Sequence, residues 1–228
     1  MRLCSAQHAA RRMPRSISDS IARQLRCPTG RWGRITGRVM AVVNRQPTHF
    51  AIEALRVKPS DTALELGFGA GQGIKALAGL APRGLILGID HSPEMVALAS
   101  NANRQAIREG RVALSMGSLD ALPWPAESVD KILAVNVVYF FDRSAKEVAE
   151  AKRVLRAGGR IAVYATDRVT MANWGLSRAN THSLFDSDEL RRLFMRGGFA
   201  ASETAIRSLT LPFGIKGLLA VLTKAPAR

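Results

Sequence analysis

Two hydrophobic patterns alternate along residues 60–165. Short runs that are almost wholly apolar predict buried strands, and the stretches between them, with apolar residues three or four positions apart, predict amphipathic helices. Strands of this kind, separated by helices, are typical of a parallel sheet that is covered on both faces. The predicted strands are Thr62–Leu66, Gly84–Ile89, Arg111–Ser115, Val129–Val135 and Arg160–Ala165, and the predicted helices are Gln72–Leu80, Pro93–Arg108 and Ala145–Leu155, the last closed by Ala157-Gly158-Gly159.

The C-terminal part of the chain follows a different pattern. A helix is predicted at Ser187–Arg196, begun by Asp186 or Ser187 and stopped by a glycine pair. Phe199–Ser208 and Leu218–Thr223 then resemble two strands with no clear helix between them. We therefore predict an α/β fold, with a doubly wound, mostly parallel seven-stranded sheet that an antiparallel hairpin closes at one edge.

The N-terminal part shows weaker periodicity. Residues 1–30 have no clear period and are predicted to be a disordered arm. From Trp32 to Leu55 the apolar residues recur at helical spacing, but Pro47 interrupts them. We therefore predict two short helices at 31–44 and 48–56, which together form a helical cap at 31–58, followed by the main domain at 59–228.

The basic charge of the chain is concentrated in this N-terminal part. The chain has 228 residues and a net charge of +15. Residues 1–58 hold twelve Lys and Arg against Asp19 and Glu53, whereas the remaining residues hold 21 bases and 16 acids. A basic arm can attract an RNA, an anionic membrane surface or an acidic substrate, and it can equally be a solvated tail.

Cysteine usage and targeting signals add less. Cys4 and Cys27 form neither a disulfide framework nor a metal-ligand set, so we expect a reducing, cytoplasmic environment and no metal. No apolar run approaches the roughly 18 residues of a membrane span. The first fifteen residues contain four arginines and no acid, a composition shared by organellar targeting segments and by plain bacterial N-termini. Peripheral membrane association also stays open.

The glycine-rich turn after the first strand carries the strongest chemical signal. A phosphate-binding loop needs a glycine before its lysine and a hydroxyl residue after it, but Lys75 follows Ile74 and precedes Ala76. A dinucleotide-binding G-x-G-x-x-G motif needs glycine at position 72 or 74, which are Gln72 and Ile74. A simple tight turn without a ligand is the remaining structural alternative.

Glu65-Leu66-Gly67-Phe68-Gly69-Ala70-Gly71 matches the pattern [DE]-x-G-x-G-x-G at every position. The heptad resembles motif I of the class I S-adenosylmethionine-dependent methyltransferases. Residues 122–130, Leu-Pro-Trp-Pro-Ala-Glu-Ser-Val-Asp, are similar to a stretch of the ubiquinone and menaquinone biosynthesis methyltransferases. Residues 154–160 resemble the glycine turn of that family, with Ala157 in place of its usual proline. The resemblance covers residues 60–165 and implies a Rossmann-like methyltransferase fold.

The resemblance also implies S-adenosylmethionine as cofactor, a ligand with a ribose and an adenine but no phosphate. Asp90 closes the second strand, where an acid can hydrogen-bond both ribose hydroxyls. His91 and Met95 would pack around the adenine, while Asp120 would accept a hydrogen bond from its amino group. The cofactor-binding residues predicted in this way are Glu65, Gly67, Phe68, Gly69, Gly71, Asp90, His91, Met95, Ser118, Leu119, Asp120 and Asn136.

The acceptor side is less clearly marked. Methyl transfer from a sulfonium is an in-line displacement, so the protein mainly aligns a nucleophile and excludes water. After the fourth strand, Asn136 and Tyr139 match the spacing of the [DNS]-P-P-[YFW] motif of nucleic-acid amino-methylating enzymes, but valines replace both prolines, so we do not identify a base-methylation motif here. Tyr139 and Phe140 either line an acceptor pocket or pack beneath the N-terminal helices. Candidate bases are His49, Tyr139 and His182, and the segment 167–186, with Met171 and Trp174, is a candidate substrate cover.

The function predicted from the sequence is therefore methyl transfer to a small-molecule acceptor of apolar or amphipathic character. One alternative is a phospholipid methyltransferase at a membrane surface, since Arg31, Arg34 and Arg38 alternate with apolar residues at helical spacing. Another is an RNA methyltransferase that uses the basic arm, and a third is a cofactor-binding protein without turnover. The sequence makes no prediction of the oligomeric state.

Overall fold

The computed structural model describes residues 44–173 and 183–226. The predicted arm, both cysteines, most of the predicted helix at 31–44, Trp174 and His182 lie outside the described residues. Within them the helices are α1 Arg45–Leu55, α2 Gln72–Leu80, α3 Pro93–Ala102, α4 Arg104–Arg108, α5 Lys146–Val154, α6 Arg168–Asn173 and α7 Ser187–Arg196. The strands are β1 Ala63–Leu66, β2 Ile86–Asp90, β3 Val112–Met116, β4 Val129–Val135, β5 Leu155–Thr166, β6 Thr204–Thr210 and β7 Lys216–Thr223.

The seven strands form one sheet in the order β3-β2-β1-β4-β5-β7-β6. The first five are parallel, and β7 lies antiparallel between β5 and β6. The predicted fold class, including the antiparallel edge hairpin, is thereby confirmed. Leu66 pairs with Ile89 of β2 and with Ala134 of β4, so the carboxyl ends of these strands lie at one edge. The strand order reverses between β1 and β4, which is where such sheets bind their ligands.

Each face of the sheet carries its own core. Successive side chains of a strand point to opposite faces, so Leu64 and Leu66 pack with α5 and α7, whereas Ala63 packs with α1, α2 and α3. All four β1 residues are buried, which explains why three of them are apolar; Glu65 is the exception. Each fully buried Leu or Ile contributes about 1.5–3 kcal/mol of transfer free energy, so the two cores hold the carboxyl edge rigidly in place.

The predicted interruption at Pro47 is wrong. Helix α1 begins at Arg45, and Pro47 lies buried in its first turn. A proline is tolerated there because its missing N–H has no partner within the helix. The helix lies along the face of the sheet, from Asn44 at the carboxyl edge to Ala54, whose carbonyl accepts a hydrogen bond from Arg160 near the amino edge. Only the beginning of this helix therefore reaches the predicted site.

Several other predicted boundaries also differ, among them the strand predicted at Phe199–Ser208, which is β6 Thr204–Thr210 after a short helical turn. The helix predicted at Pro93–Arg108 is broken at Asn103, whose side chain donates to the carbonyls of Gly71 and Ala99. Strand β5 begins at Leu155 rather than at Arg160, because the chain leaves α5 directly into pairing with Val129 and the glycine turn forms an irregularity within the strand. In the part of the chain that the structure describes, no helix combines the length and apolar character needed to cross a bilayer.

Candidate active site at the carboxyl edge of the sheet

The glycine loop after β1 is shaped by three left-handed residues. Gly67, Gly69 and Gly71 have φ angles of 64°, 52° and 80°, which side chains other than glycine rarely adopt. A Cβ added to Gly67 would lie 2.5 Å from a methyl carbon of Val137, so the loop packs tightly against the end of β4. Nothing lies within 4 Å of a Cβ added to Gly69. The loop is therefore closed towards the sheet and open at Gly69.

Asp90 at the end of β2 holds this open part of the loop. Its Oδ2 accepts a hydrogen bond from the Gly69 N–H at 2.9 Å, and its Oδ1 accepts one from the Ser92 N–H at 3.0 Å. The carboxylate is buried. Since a carboxylate offers about four lone-pair sites, both oxygens can accept further bonds from a vicinal diol. Asp90 thus meets the geometric requirement for a ribose-binding acid.

Glu65 lies beneath the loop, on the face of the sheet that α2 covers. A Cβ added to Gly73 would lie 2.2 Å from its Oε1, so the carboxyl group fills the space under the first turn of α2. Its buried Oε2 has no hydrogen-bond partner among the described residues. Burial raises the pKa of Glu65 to about 8, the hydrogen bond from the Ile74 N–H opposes this rise, and the charge of Asp90 adds to it. A cationic ligand would favour its ionised form.

The residues predicted to surround an adenine follow β2 and β3. His91 is exposed, with Nδ1 at 3.7 Å from Asp90 Oδ1, whereas Met95 is buried in α3. Ser92 caps α3 as predicted, its hydroxyl accepting from the Met95 N–H at 3.4 Å. The Phe68 ring faces inward, where it would obstruct a Cβ at Gly88 of β2. Phe68 can therefore contribute only its backbone to a ligand in front of the loop.

The segment after β3 meets the end of β2. The Gly117 N–H donates to the Asp90 carbonyl at 3.0 Å. Asp120 is exposed and accepts a hydrogen bond from the Ser118 hydroxyl, and Leu119 packs partly on the core. The structure thus brings the carboxyl ends of β1, β2 and β3, with their predicted cofactor residues, to one edge.

On the acceptor side, Asn136 connects three elements. It has a φ of 53°, a strained conformation that asparagine tolerates better than most residues. Its Nδ2 donates to Asn44 Oδ1 at 2.8 Å, and its Oδ1 accepts from the Tyr139 hydroxyl at 2.8 Å and from the Thr166 N–H at 3.1 Å. The ends of β4 and β5 and the start of α1 are joined here. Asn44 and Thr166 are members of the site that sequence reasoning missed.

The two candidate bases among the described residues differ in burial and in their contacts. The Tyr139 hydroxyl is buried and also donates to the Thr166 carbonyl at 3.2 Å, and burial raises the pKa of Tyr139 well above its usual range. These contacts favour a positioning role over that of a base. Phe140 meets the Tyr139 ring edge-on, and both pack in the core on the face of α5 and α7, whereas α1 packs on the other face of the sheet. The alternative of packing beneath the N-terminal helices is therefore not met by the described helix α1. The His49 side chain is 68% exposed on α1, at 3.4 Å from Glu53.

Both described ends of the predicted cover lie at this edge. Met171 in α6 is buried, and the Ser183 N–H donates to the Tyr139 carbonyl at 3.0 Å. A polar depression of about 520 Å³ lies elsewhere, and none of the predicted site residues lines it; it is bounded by Asn101, Ala102, Arg104, Gln105 and Arg108. Within residues 44–173 and 183–226, no group of three or more His, Cys, Asp or Glu is arranged to hold a metal ion.

Comparison with known proteins places the chain in a family. A family model described as a methyltransferase domain matches residues 64–163. An uncharacterized methyltransferase of Bacillus subtilis, YdaC, is 30% identical over 129 residues, which are 57% of this chain and 69% of that protein. The chain belongs to the S-adenosylmethionine-dependent methyltransferases. Its cofactor is accordingly S-adenosylmethionine, as the glycine loop predicted.

Other curated relatives match this chain over only about half of their own length. A ubiquinone/menaquinone biosynthesis C-methyltransferase of Geotalea daltonii is 28% identical over 123 residues, which are 53% of this chain and 52% of that protein. An uncharacterized protein of a Streptomyces fradiae transposon is 32% identical over 162 residues, which are 65% of this chain and 46% of that protein. A solved complex of the Haloferax volcanii Trm112 activator with a methyltransferase matches with a TM-score of 0.72 and 21% identity, covering 85% of this chain and 94% of the other. This likeness supports the fold.

The described residues fit the cofactor. Space is open at Gly69, and the oxygens of Asp90 retain acceptor capacity for a diol. Glu65 Oε2, which has no partner among the described residues, lies beneath the loop, where a ligand that carries an ammonium and a sulfonium would favour the ionised carboxylate. The absence of a lysine from the loop itself agrees with a ligand that has no phosphate.

Proposed function

We propose that this methyltransferase transfers the methyl group to a small-molecule acceptor of apolar or amphipathic character at the carboxyl ends of β4 and β5. The observation that supports this most is the network of uncharged polar groups on the acceptor side. The polar groups that converge there, Asn44, Asn136, Tyr139 and Thr166, carry no charge and bond to one another. Val137 and Met171 are buried apolar neighbours. The Geotalea relative is a ubiquinone/menaquinone biosynthesis C-methyltransferase, which supports an acceptor of this character.

In this mechanism the bound cofactor supplies an activated methyl group on its sulfonium. Asp90 would hold the ribose, and Glu65, when ionised, would balance positive charge from beneath the loop. The hydrogen bonds of Asn136 hold the turn after β4 in one conformation, so that an acceptor meets a preformed surface. The buried apolar residues exclude water, which would otherwise compete as a nucleophile. The cofactor-binding roles of individual residues stay predictions until ligand binding is measured.

The role of the N-terminal part also stays a prediction. We assign residues 1–30 to a basic arm, 31–58 to a helical cap and 59–228 to the methyltransferase domain. An anionic membrane surface or an RNA remains the predicted partner of the arm. Among the alternatives, the exposed tip of the C-terminal hairpin favours a membrane surface.

Labelling with methyl-labelled cofactor tests the acceptor class. The full chain is incubated with separated lysate fractions that contain aqueous small molecules, extracted lipids or RNA. We expect label in low-mass compounds that extract into organic solvent, and no label with an Asp90→Ala variant. Label confined to RNA would contradict the proposal, and label in phospholipid alone would select the membrane-surface alternative.

A further inference from the structure

The tip of the C-terminal hairpin lies beside the acceptor side of the site. Strand β6 ends at Thr210 and β7 begins at Lys216. In the antiparallel pair of β5 and β7, Gly217 lies opposite Thr166, the last residue of β5. The residues 211–215 that join the two strands therefore project from the same edge of the sheet as the glycine loop.

Phe213 at this tip is fully exposed, although the residues around it are anchored. Its side chain is 100% accessible, whereas Leu211 is buried and Ile215 packs partly on the core. The Leu211 N–H donates to the Ile215 carbonyl at 2.8 Å and closes the turn. Phe213 has a φ of 63°, which is a genuine outlier for a bulky residue. The fold thus retains backbone strain in a turn that presents an aromatic ring to the outside.

A second exposed apolar side chain is tied to the same tip. The Lys216 N–H donates to Thr170 Oγ1 at 3.0 Å, and the Asp167 N–H donates to the Lys216 carbonyl at 2.9 Å. These bonds join the hairpin to α6, where Val169 is 58% exposed. Phe213 and Val169 are therefore exposed apolar side chains on two joined elements at the carboxyl edge.

The charge of the hairpin itself is positive. Residues 204–223 contain Arg207 and Lys216 and no acid, and neither base forms an ion pair with any described residue. Arg168 is neutralised by Asp186 and Glu189. Asp167 directly precedes α6, and its carboxylate accepts a hydrogen bond from the Val169 N–H at 2.8 Å. The hairpin as a whole therefore offers uncompensated positive charge beside the exposed ring.

We propose that this hairpin tip, with Phe213 as the inserted side chain, docks the catalytic edge onto an anionic lipid bilayer. An exposed apolar tip inserts among lipid chains, whereas a peptide segment would need a groove. Phe213 is the one aromatic residue of 204–223, whereas single-stranded nucleic acid is bound by stacking successive bases on several rings. Anionic headgroups attract the neighbouring Lys216. Docking in this orientation places the acceptor side against the membrane and supplies an amphipathic acceptor directly from it. The docking itself does not depend on the proposed acceptor.

Vesicle co-sedimentation with the full chain tests this surface. With vesicles of phosphatidylglycerol and phosphatidylcholine, Phe213→Ser is expected to lower the partition coefficient about tenfold, since removal of a buried aromatic ring from lipid has an effect of that order. Lys216→Gln is expected to lower the partition coefficient several-fold at low salt. The effect of this substitution is expected to be smaller at high salt, which screens the charge. The matched control is Met195→Ser, because Met195 is 48% exposed at the end of α7, towards the amino edge.

A tryptophan at the tip reports insertion directly and separates it from binding through the basic arm. Phe213→Trp is expected to shift its emission to the blue with these vesicles and to be quenched by brominated acyl chains, whereas Met195→Trp is not. Equal partition of the wild type and Phe213→Ser, or an unshifted Phe213→Trp spectrum on bound vesicles, would overturn the proposal. Cofactor affinity is expected to be the same in Phe213→Ser as in the wild type, so a failure of docking is distinguishable from a failure of methyl transfer.

Discussion

Replacement of Asp90 by alanine is expected to weaken the binding of S-adenosylmethionine by about a hundredfold or more. Each hydrogen bond to a charged group contributes about 1.5–3 kcal/mol, and about 1.4 kcal/mol corresponds to a factor of ten in affinity. The variant is expected to lose the two predicted bonds to the ribose, and it also loses the anchor of Gly69. Isothermal titration calorimetry measures the dissociation constant, and thermal unfolding checks that the variant folds.

Asp130→Asn is the matched control for this experiment. Asp130 also accepts a backbone N–H, that of Thr62, and pairs with Arg156, but it lies at the beginning of β4, at the opposite edge. Its replacement is expected to leave cofactor affinity within about twofold of the wild type. An Asp90→Ala variant that binds the cofactor as tightly as this control would show that the acid only supports the loop.

Replacement of Glu65 by glutamine is expected to stabilise the ligand-free protein at alkaline pH and to weaken cofactor binding about tenfold. The pKa of Glu65 is raised to about 8 in the folded state, from 4.5. The folded chain then holds a proton that the unfolded chain releases above pH 4.5. Glu65 therefore lowers the free energy of unfolding progressively as the pH rises through this window, and the loss is complete above pH 8.

Glutamine resembles the protonated carboxyl group and removes this penalty. A shift of one pKa unit corresponds to about 1.4 kcal/mol, and since buried sites relax around a charge, we expect a gain of about 2 kcal/mol at pH 8.5. Denaturant unfolding at pH 8.5 and below pH 4.5 measures the difference, which should vanish at the acidic pH. Glu147→Gln is the control, because both Glu147 oxygens accept the Asp142 N–H, and it should gain no stability. An equal loss of stability at both pH values in Glu65→Gln would contradict the account.

The parts of the site that could be predicted are those encoded locally. The left-handed turns of the loop need glycine at fixed positions, and Asp90 directly ends a buried strand, so short-range patterns suffice to locate both. The carboxyl edge follows from the order of strands and helices. In the same way, the start of α7 was predicted from Asp186, which forms a capping box with Glu189.

The parts that could not be predicted depend on contacts between distant residues. Asn44 and Asn136 are 92 residues apart, and no local pattern joins them. Helix α3 stops at Asn103 because that side chain bonds to Gly71 on another element, which outweighs a continuous helical pattern. Phe213, in an apolar sequence, is typical of a core residue, and only the strained turn shows that it faces outwards.

Calorimetric titration of the full chain with S-adenosylmethionine and, separately, with NAD tests the central claim most directly. A ligand with a ribose and an adenine but no phosphate is predicted to occupy the edge between the glycine loop and Asp90. We expect saturable binding of S-adenosylmethionine at one site per chain and no saturable binding of NAD. Saturable binding of NAD with no heat from S-adenosylmethionine would contradict the account.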